Sequence, residues 1–194
     1  MEDELLKKIM LDLQKKLSTK RFNHSIGVMR KAIQLANIYK QDELQAAKVG
    51  LAHDIAKEMS KEEILNYVNE NNIKADETEL QNLGLLHGKI GADICKKRYN
   101  FTDDMCMAII NHTTGDVSMS FFDKIIFVAD KIEEGRKWDG VEEIRIIADK
   151  DIDLAIIKLI DRSIQKCIKK NEIIHINSIN LRNKLIQKKD SNNL

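Results

Sequence analysis

Six residues of this 194-residue chain, His24, the adjacent pair His53 and Asp54, His87, His112 and Asp130, form an ordered set of side chains suited to holding a metal ion. Imidazole nitrogens with carboxylate oxygens favour iron, manganese or zinc over calcium or magnesium. No thiolate stands among them, so the pattern is not a structural zinc knuckle. Taken singly, each residue has an ordinary reading. A lone histidine is more often a satisfied core or surface residue than a ligand, and Asp130 can pair with Lys124 or Lys131. Yet Asp130 follows Phe127, Val128 and Ala129, and a buried carboxylate there needs a partner, hydrogen bonds or a metal. His53 and Asp54 project about 100° apart on a helix. Both can address one centre only at a helix end.

The elements that must carry these residues read as helices almost throughout. Leu5, Ile9, Leu13 and Leu17 form one stripe of a first helix. Ser18 and Thr19 can cap a second that bears His24. A third runs from Asp42 to Lys57, with Leu44, Ala47, Gly50 and Leu51 facing inward, and residues 57–60 supply the end that the His53 and Asp54 pair requires. Ser60 and Glu63 form a capping box for a short fourth helix through Val68, and Asn69 to Thr78 reads as a loop. A later helix carries His87, and another, capped by Thr102, carries Met105, Ile109 and His112. Met119 to Ile132 is apolar around most of its circumference, which marks a buried central helix. Gly135 to Gly140 reads as a loop, Asp151 to Lys170 as a long amphipathic helix, Asn177 to Lys188 as a weaker one and 189–194 as a frayed tail. Met105, Met107, Phe121 and Phe122 read as core, and Gly88 and Gly91 as permitting close helix packing. Trp138 reads as a residue that stacks on a base, a lid or a partner contact. The fold class is all-α: a single domain over 1–194, its core at about 20–145 and the helices of 151–188 packed on it.

Charge narrows the partners. Lys and Arg number 32 against 31 Asp and Glu, a net charge of +1. That argues against nucleic acid as a partner, because such binders carry a basic excess. A small anionic substrate needs only a few local cations. Cys95, Cys106 and Cys167 read as reduced thiols, no apolar run is long enough to span a membrane, and the start of the chain lacks a signal pattern. The expected location is the cytoplasm, with no membrane partner; a homodimer is left open.

The ordered set His24, His53-Asp54, His87, His112, Asp130 resembles the HD-domain phosphohydrolase superfamily, a helical bundle around a buried metal centre. The strings R21-F-N-H24-S-I-G-V, A52-H-D-I-A-K57, H87-G-K-I-G-A92, H112-T-T-G115 and D123-K-I-I-F-V-A-D130-K-I-E-E-G-R136 closely resemble the bacterial YqeK family. Glu134 and Asp139 stand where that family usually has proline, while Gly135, Arg136 and Gly140 remain. The resemblance implies symmetrical hydrolysis of diadenosine tetraphosphate to two ADP by a metal-activated hydroxide. It implies an iron centre, a di-iron one by preference, with manganese or another divalent metal as the alternative. His24, His53, Asp54 and Asp130 would hold the first metal. His87 and His112 would either hold a second, bridged by Asp54, or donate hydrogen bonds to phosphates. Asp54, His87 and His112 are the expected catalytic residues. Arg21, His24, Lys57, His87, His112 and Arg136 are the expected substrate contacts. Two alternatives remain: an HD-type nucleotidase acting on deoxynucleoside monophosphates, and a nucleotide-sensing module with a metal site. A cyclic dinucleotide phosphodiesterase is disfavoured, because no G-Y-P segment is present.

Overall fold

Why the chain turns so sharply without proline is visible at its helix ends. The computed structural model describes residues 3–191 and is helical throughout, with no strand among them. Helices α1 (Glu4–Lys16), α2 (Thr19–Ile38), α3 (Glu43–Ala52), α4 (Lys61–Glu70) and α5 (Glu77–Gln81) lead to a 3₁₀ turn, Leu83–Leu86. Then follow α6 (His87–Tyr99), α7 (Asp103–Asn111), α8 (Phe121–Ile132), α9 (Val141–Ala148), α10 (Ile152–Lys170) and α11 (Ile176–Ser191). Most begin at an Asp, Ser or Thr whose side chain accepts a free backbone N–H of the first turn. At the other end, α6 and α10 stop at Asn100 and Asn171, with φ of 55° and 53°. Asparagine tolerates this left-handed conformation and so takes the place glycine commonly holds.

α8 is the central helix. It packs against α2, α3, α7 and α10, and Ile125, Ile126, Phe127, Val128 and Ala129 are all buried. A second, smaller apolar cluster, Ala56, Ile64, Leu86 and Ile90, forms under α4 and joins it to α6. α6 and α7 approach closely at Gly88. A Cβ there would meet the carbonyl oxygens of Ile109 and Ile110 at 3.0 and 3.2 Å. α10 lies on α8 and α9, and α11 lies on α10.

Several expectations need correction. α3 ends at Ala52, not Lys57, and 53–58 form turns. Leu44, in the first turn of α3, is 43% exposed, although Ala47, Gly50 and Leu51 further along the helix are buried. Met107 and Phe121 are also exposed; Phe121 lies outside the core against Tyr39, with ring centroids 5.0 Å apart. The Asn69 to Thr78 loop is cut short by α5, and α9 falls in a stretch with no expected helix. α11 continues past Lys188 to Ser191; 192–194 of the expected frayed tail lie outside the described residues. No helix among the described residues is long and apolar enough to cross a membrane.

Candidate metal centre

Five segments bring the six residues together. His24 comes from the interior of α2, His53 caps the C-terminus of α3, and Asp54 follows it in the turn. His87 stands where the 3₁₀ turn passes into α6, His112 caps α7, and Asp130 lies in the last turn of α8. His53, Asp54, His87 and His112 are almost wholly buried. Because α3 stops at Ala52, the adjacent His53 and Asp54 side chains both turn toward the same centre.

The carboxylate of Asp54 is shared between two sets of imidazoles. Its Oδ1 lies 3.2 Å from His87 Nε2 and 3.7 Å from His112 Nε2. Its Oδ2 lies 3.4 Å from His53 Nε2 and 3.7 Å from His24 Nε2. Asp130 Oδ1 completes the second set, 3.1 Å from His24 Nε2 and 3.8 Å from His53 Nε2.

Every ring is pinned from behind. Nδ1 of His53, His87 and His112 lies 2.8, 2.6 and 2.6 Å from the carbonyls of Gly50, Gly84 and Ile109. A carbonyl can only accept, so each Nδ1 carries a proton, and in the neutral ring it is Nε2 that presents a lone pair to the centre. His24 Nδ1 is held by Glu133, at 3.2 Å. This is the supporting shell that metal-bound histidines require. Two further features fit a cation between the rings. The Nε2 atoms of His87 and His112 face each other at 3.0 Å, and two lone pairs at that range repel. His53 Nε2 and Asp54 Oδ1 are buried without a hydrogen-bond partner, although such atoms are costly to leave unsatisfied. Two overlapping trios, His24-His53-Asp130 and His53-Asp54-His112, each gather close enough for one ion.

Burial and neighbouring charge set the protonation states. Burial alone would push the carboxyls of Asp54 and Asp130 up. His53 and the nearby imidazoles overcome it at Asp54, and Lys131 with His24 does so at Asp130, so both sit below the usual carboxylate range. Burial opposes charge on His53 as well, but Asp54 and Asp130 outweigh it and raise that pKa. Burial, aided by Lys57, lowers His87; burial, aided by His87 and His53, pushes His112 down to about 4. His112 is therefore neutral at neutral pH, the form that ligates metal. Burial also lowers Lys57 and Lys131.

The cluster opens into a cleft of about 300 Å³ whose cations are Arg21, Lys57, Lys131 and Arg136. Arg21 Nη1 donates to Asp54 Oδ2 at 2.6 Å, and Arg136 Nη2 to Asp130 Oδ1 at 2.8 Å. Lys57 Nζ lies 3.2 Å from His87 Nε2. All the residues expected at the site therefore gather here. Trp138 does not line the cleft: its indole donates to the Lys131 carbonyl at 3.2 Å and Arg162 stacks on it at 4.2 Å. Asp130 pairs with Lys131, while Lys124 pairs with Asp153.

Sequence reasoning missed Thr113 and Glu133, and gave Lys131 only as an ion-pair partner of Asp130. Thr113 Oγ1 lies 3.3 and 3.2 Å from the Nε2 atoms of His87 and His112. Lys131 Nζ donates to the His112 carbonyl at 2.6 Å. Glu133 is buried and sits three residues after Asp130; any Cβ on Gly27 would collide with its carboxylate. That spacing and that glycine were the available signals. The unforeseen α9 contributes Arg145, which donates to the carbonyls of Ile132 and Glu133 at 2.8 and 2.7 Å and so fastens the loop carrying Arg136.

A model of the HD domain family matches residues 21–135. The chain is 36% identical over 173 residues to the symmetrical bis(5'-nucleosyl)-tetraphosphatase of Halalkalibacterium halodurans, covering 88% of this chain and 91% of that one. It is 33% identical to the protein of the same name from Bacillus subtilis, covering 82% and 86%. A crystal structure described as a predicted HD superfamily hydrolase involved in NAD metabolism, from Clostridium acetobutylicum, is similar with a TM-score of 0.90 and 39% identity, covering 94% of this chain and 97% of the other.

Proposed function

Because the chain belongs to the HD domain family, we propose that it is a metal-dependent phosphoanhydride hydrolase that splits diadenosine tetraphosphate into two ADP and also acts on related dinucleoside polyphosphates. The names of its relatives support the substrate. The observation that carries the chemistry is Asp54, whose two oxygens are divided between two imidazole sets beside a cation-lined cleft. Asp54 Oδ2, His24, His53 and Asp130 would hold one divalent ion. Asp54 Oδ1, His87 and His112 would hold a second, because their Nε2 lone pairs suit a metal and cannot donate to phosphate. Iron is the preferred metal, with manganese or another divalent ion able to replace it in this N/O set. The whole chain acts as one domain.

A divalent metal bound here supplies Lewis acidity, which lowers the pKa of water to about 7 and polarises phosphoryl oxygens. The chain's own residues do the rest. Arg21, Lys57 and Arg136 hold the phosphate oxygens and neutralise charge that develops on them. Asp54, His87 and His112 are the catalytic residues of this scheme, the histidines fixed by their carbonyl partners and Asp54 by Arg21. The oxygen of water joins the β-phosphorus of one half. The bond from that phosphorus to the central bridging oxygen breaks, and the bridging oxygen leaves with the other half, which takes up the proton. Both products are ADP.

Hydrolysis in oxygen-18 water tests the register. ADP should be the sole initial product, labelled on its β-phosphate. ATP with AMP would show that the phosphates sit one unit further along. Release of phosphate from a deoxynucleoside monophosphate, without turnover of the dinucleotide, would support the nucleotidase instead.

A further inference from the structure

The cleft at the metal centre suits phosphates and little else, for no apolar side chain lines it. A nucleoside needs a different surface: apolar walls for the base faces and a few neutral hydrogen-bonding groups for its edges. Thr113 is shared between cavities: apart from a small pocket of about 50 Å³ beside His175, it lines two. Beyond the phosphate cleft it lines a larger one of about 490 Å³. One wall of this second cavity is α5 with the 3₁₀ turn, and the other is α10 with the segment leading into α11.

Its lining is of the second kind. Leu85, Ile164 and Ile174 are half-buried apolar contacts, and Thr78, Thr114 and Ser178 offer hydroxyls. The charged side chains in its lining, Lys166 and Glu172, are both exposed. Hydrogen bonds tie the C-terminal wall to the rest of the domain. His175 Nε2 lies 3.0 Å from Asp76 Oδ2, and Ser178 Oγ donates to the Thr114 carbonyl at 2.7 Å. A third cavity, of about 470 Å³, opens off Lys57 and His87 and adjoins the second at Gln81 and Asn82; Met59, Ile64, Leu80 and Leu83 line it too, but it carries both Lys57 and Lys61. Its charge suits more phosphate.

We propose that the cavity reached through Thr113 receives a purine nucleoside, with the C-terminal segment 163–178 as one of its walls. This rests on the proposed function, since continuity with the phosphate cleft makes the occupant a nucleotide. Of the two cavities, the one reached through Thr113, which has no lysine beside the metal centre, recognises the base.

Calorimetric titration of the manganese-loaded protein with ADP and, separately, with pyrophosphate tests it. Ser163 lines the cavity from the exposed face of α10, so Ser163→Trp fills the cavity without touching the core. It should weaken ADP about tenfold and leave pyrophosphate within about twofold, the first change being about 1.4 kcal/mol. Leu85→Ala, which removes a wall contact, should shift the two ligands in the same unequal way. Equal weakening of both ligands, or ADP binding unchanged in both variants, overturns the proposal. A parent protein that binds ADP in a Ser163-sensitive way, yet never cleaves diadenosine tetraphosphate, would overturn the hydrolase reading and leave this one standing.

Discussion

The two sides of Asp54 are built differently. On the Oδ2 side, His24 and His53 are joined by a second carboxylate, Asp130, and His24 is backed by a third, Glu133. On the Oδ1 side, His87 and His112 have no carboxylate but Asp54 and lean on main-chain carbonyls. Burial lowers both of their pKa values, whereas His53 is raised by its acidic neighbours. Negative charge attracts a divalent cation and neutral imidazole only coordinates it. The Oδ2 side should therefore bind metal tightly and fill first. The Oδ1 side should bind more weakly and exchange with solvent.

The most severe way to break this comparison is to remove its shared member. Asp54→Ala should abolish both metal sites and lower turnover by about 10³-fold or more, with helical circular dichroism unchanged. Metal analysis and kinetics check it together. On the Oδ2 side alone, Asp130→Ala should empty the tight site, whereas His112→Ala should leave one equivalent bound; equal metal loss in the two variants would show that the sides are not distinct.

Smaller effects sharpen the picture. Lys57→Ala and Arg136→Ala should retain metal but lose kcat/KM, by about 2–4 kcal/mol of transition-state stabilisation. An Arg136→Ala variant that matches the parent would reduce Arg136 to a structural partner of Asp130. Glu133→Gln keeps the shape and removes the charge behind His24, so metal affinity should fall about 10–100-fold on the Oδ2 side only. Least of all, Gly88→Ala should cost about 1–3 kcal/mol of stability, because the added methyl presses on the carbonyls of α7. It forces α6 from α7 and so disturbs the His87 and His112 pair while sparing His24. Thermal unfolding and stepwise metal titration separate the two outcomes.

Much of this was readable from residues alone, and the reasons are local. Helix starts follow from side chains such as Ser18, Ser60 and Thr102, which act within one turn. The apolar run at 125–129 announced the central helix because it has no polar face. The six ligand types were legible as an ordered set. What escaped was non-local. Glu133 gains its role only from α2, and Arg145 only from the loop it fastens. Leu44 reads as core by type and spacing, but nothing in its own helix says that the covering elements stop short of its first turn. The C-terminal wall at 163–178 meets Thr113 and Thr114 across a long stretch of chain, beyond the reach of any periodicity.

The way α3 and α7 end has an electronic consequence. A helix leaves its last carbonyls unpaired and carries about half a negative charge there. In both helices one of those carbonyls, Gly50 or Ile109, is capped by the imidazole of the residue that ends the helix. The ring thus links a helix terminus to the metal position. Electron density withdrawn from Nδ1–H toward the carbonyl makes Nε2 a stronger base, as a carboxylate behind it would. Unlike a carboxylate, a peptide dipole never titrates. His53 and His112 therefore draw part of their donor strength from the backbone itself, and that part does not depend on the protonation of any supporting carboxylate.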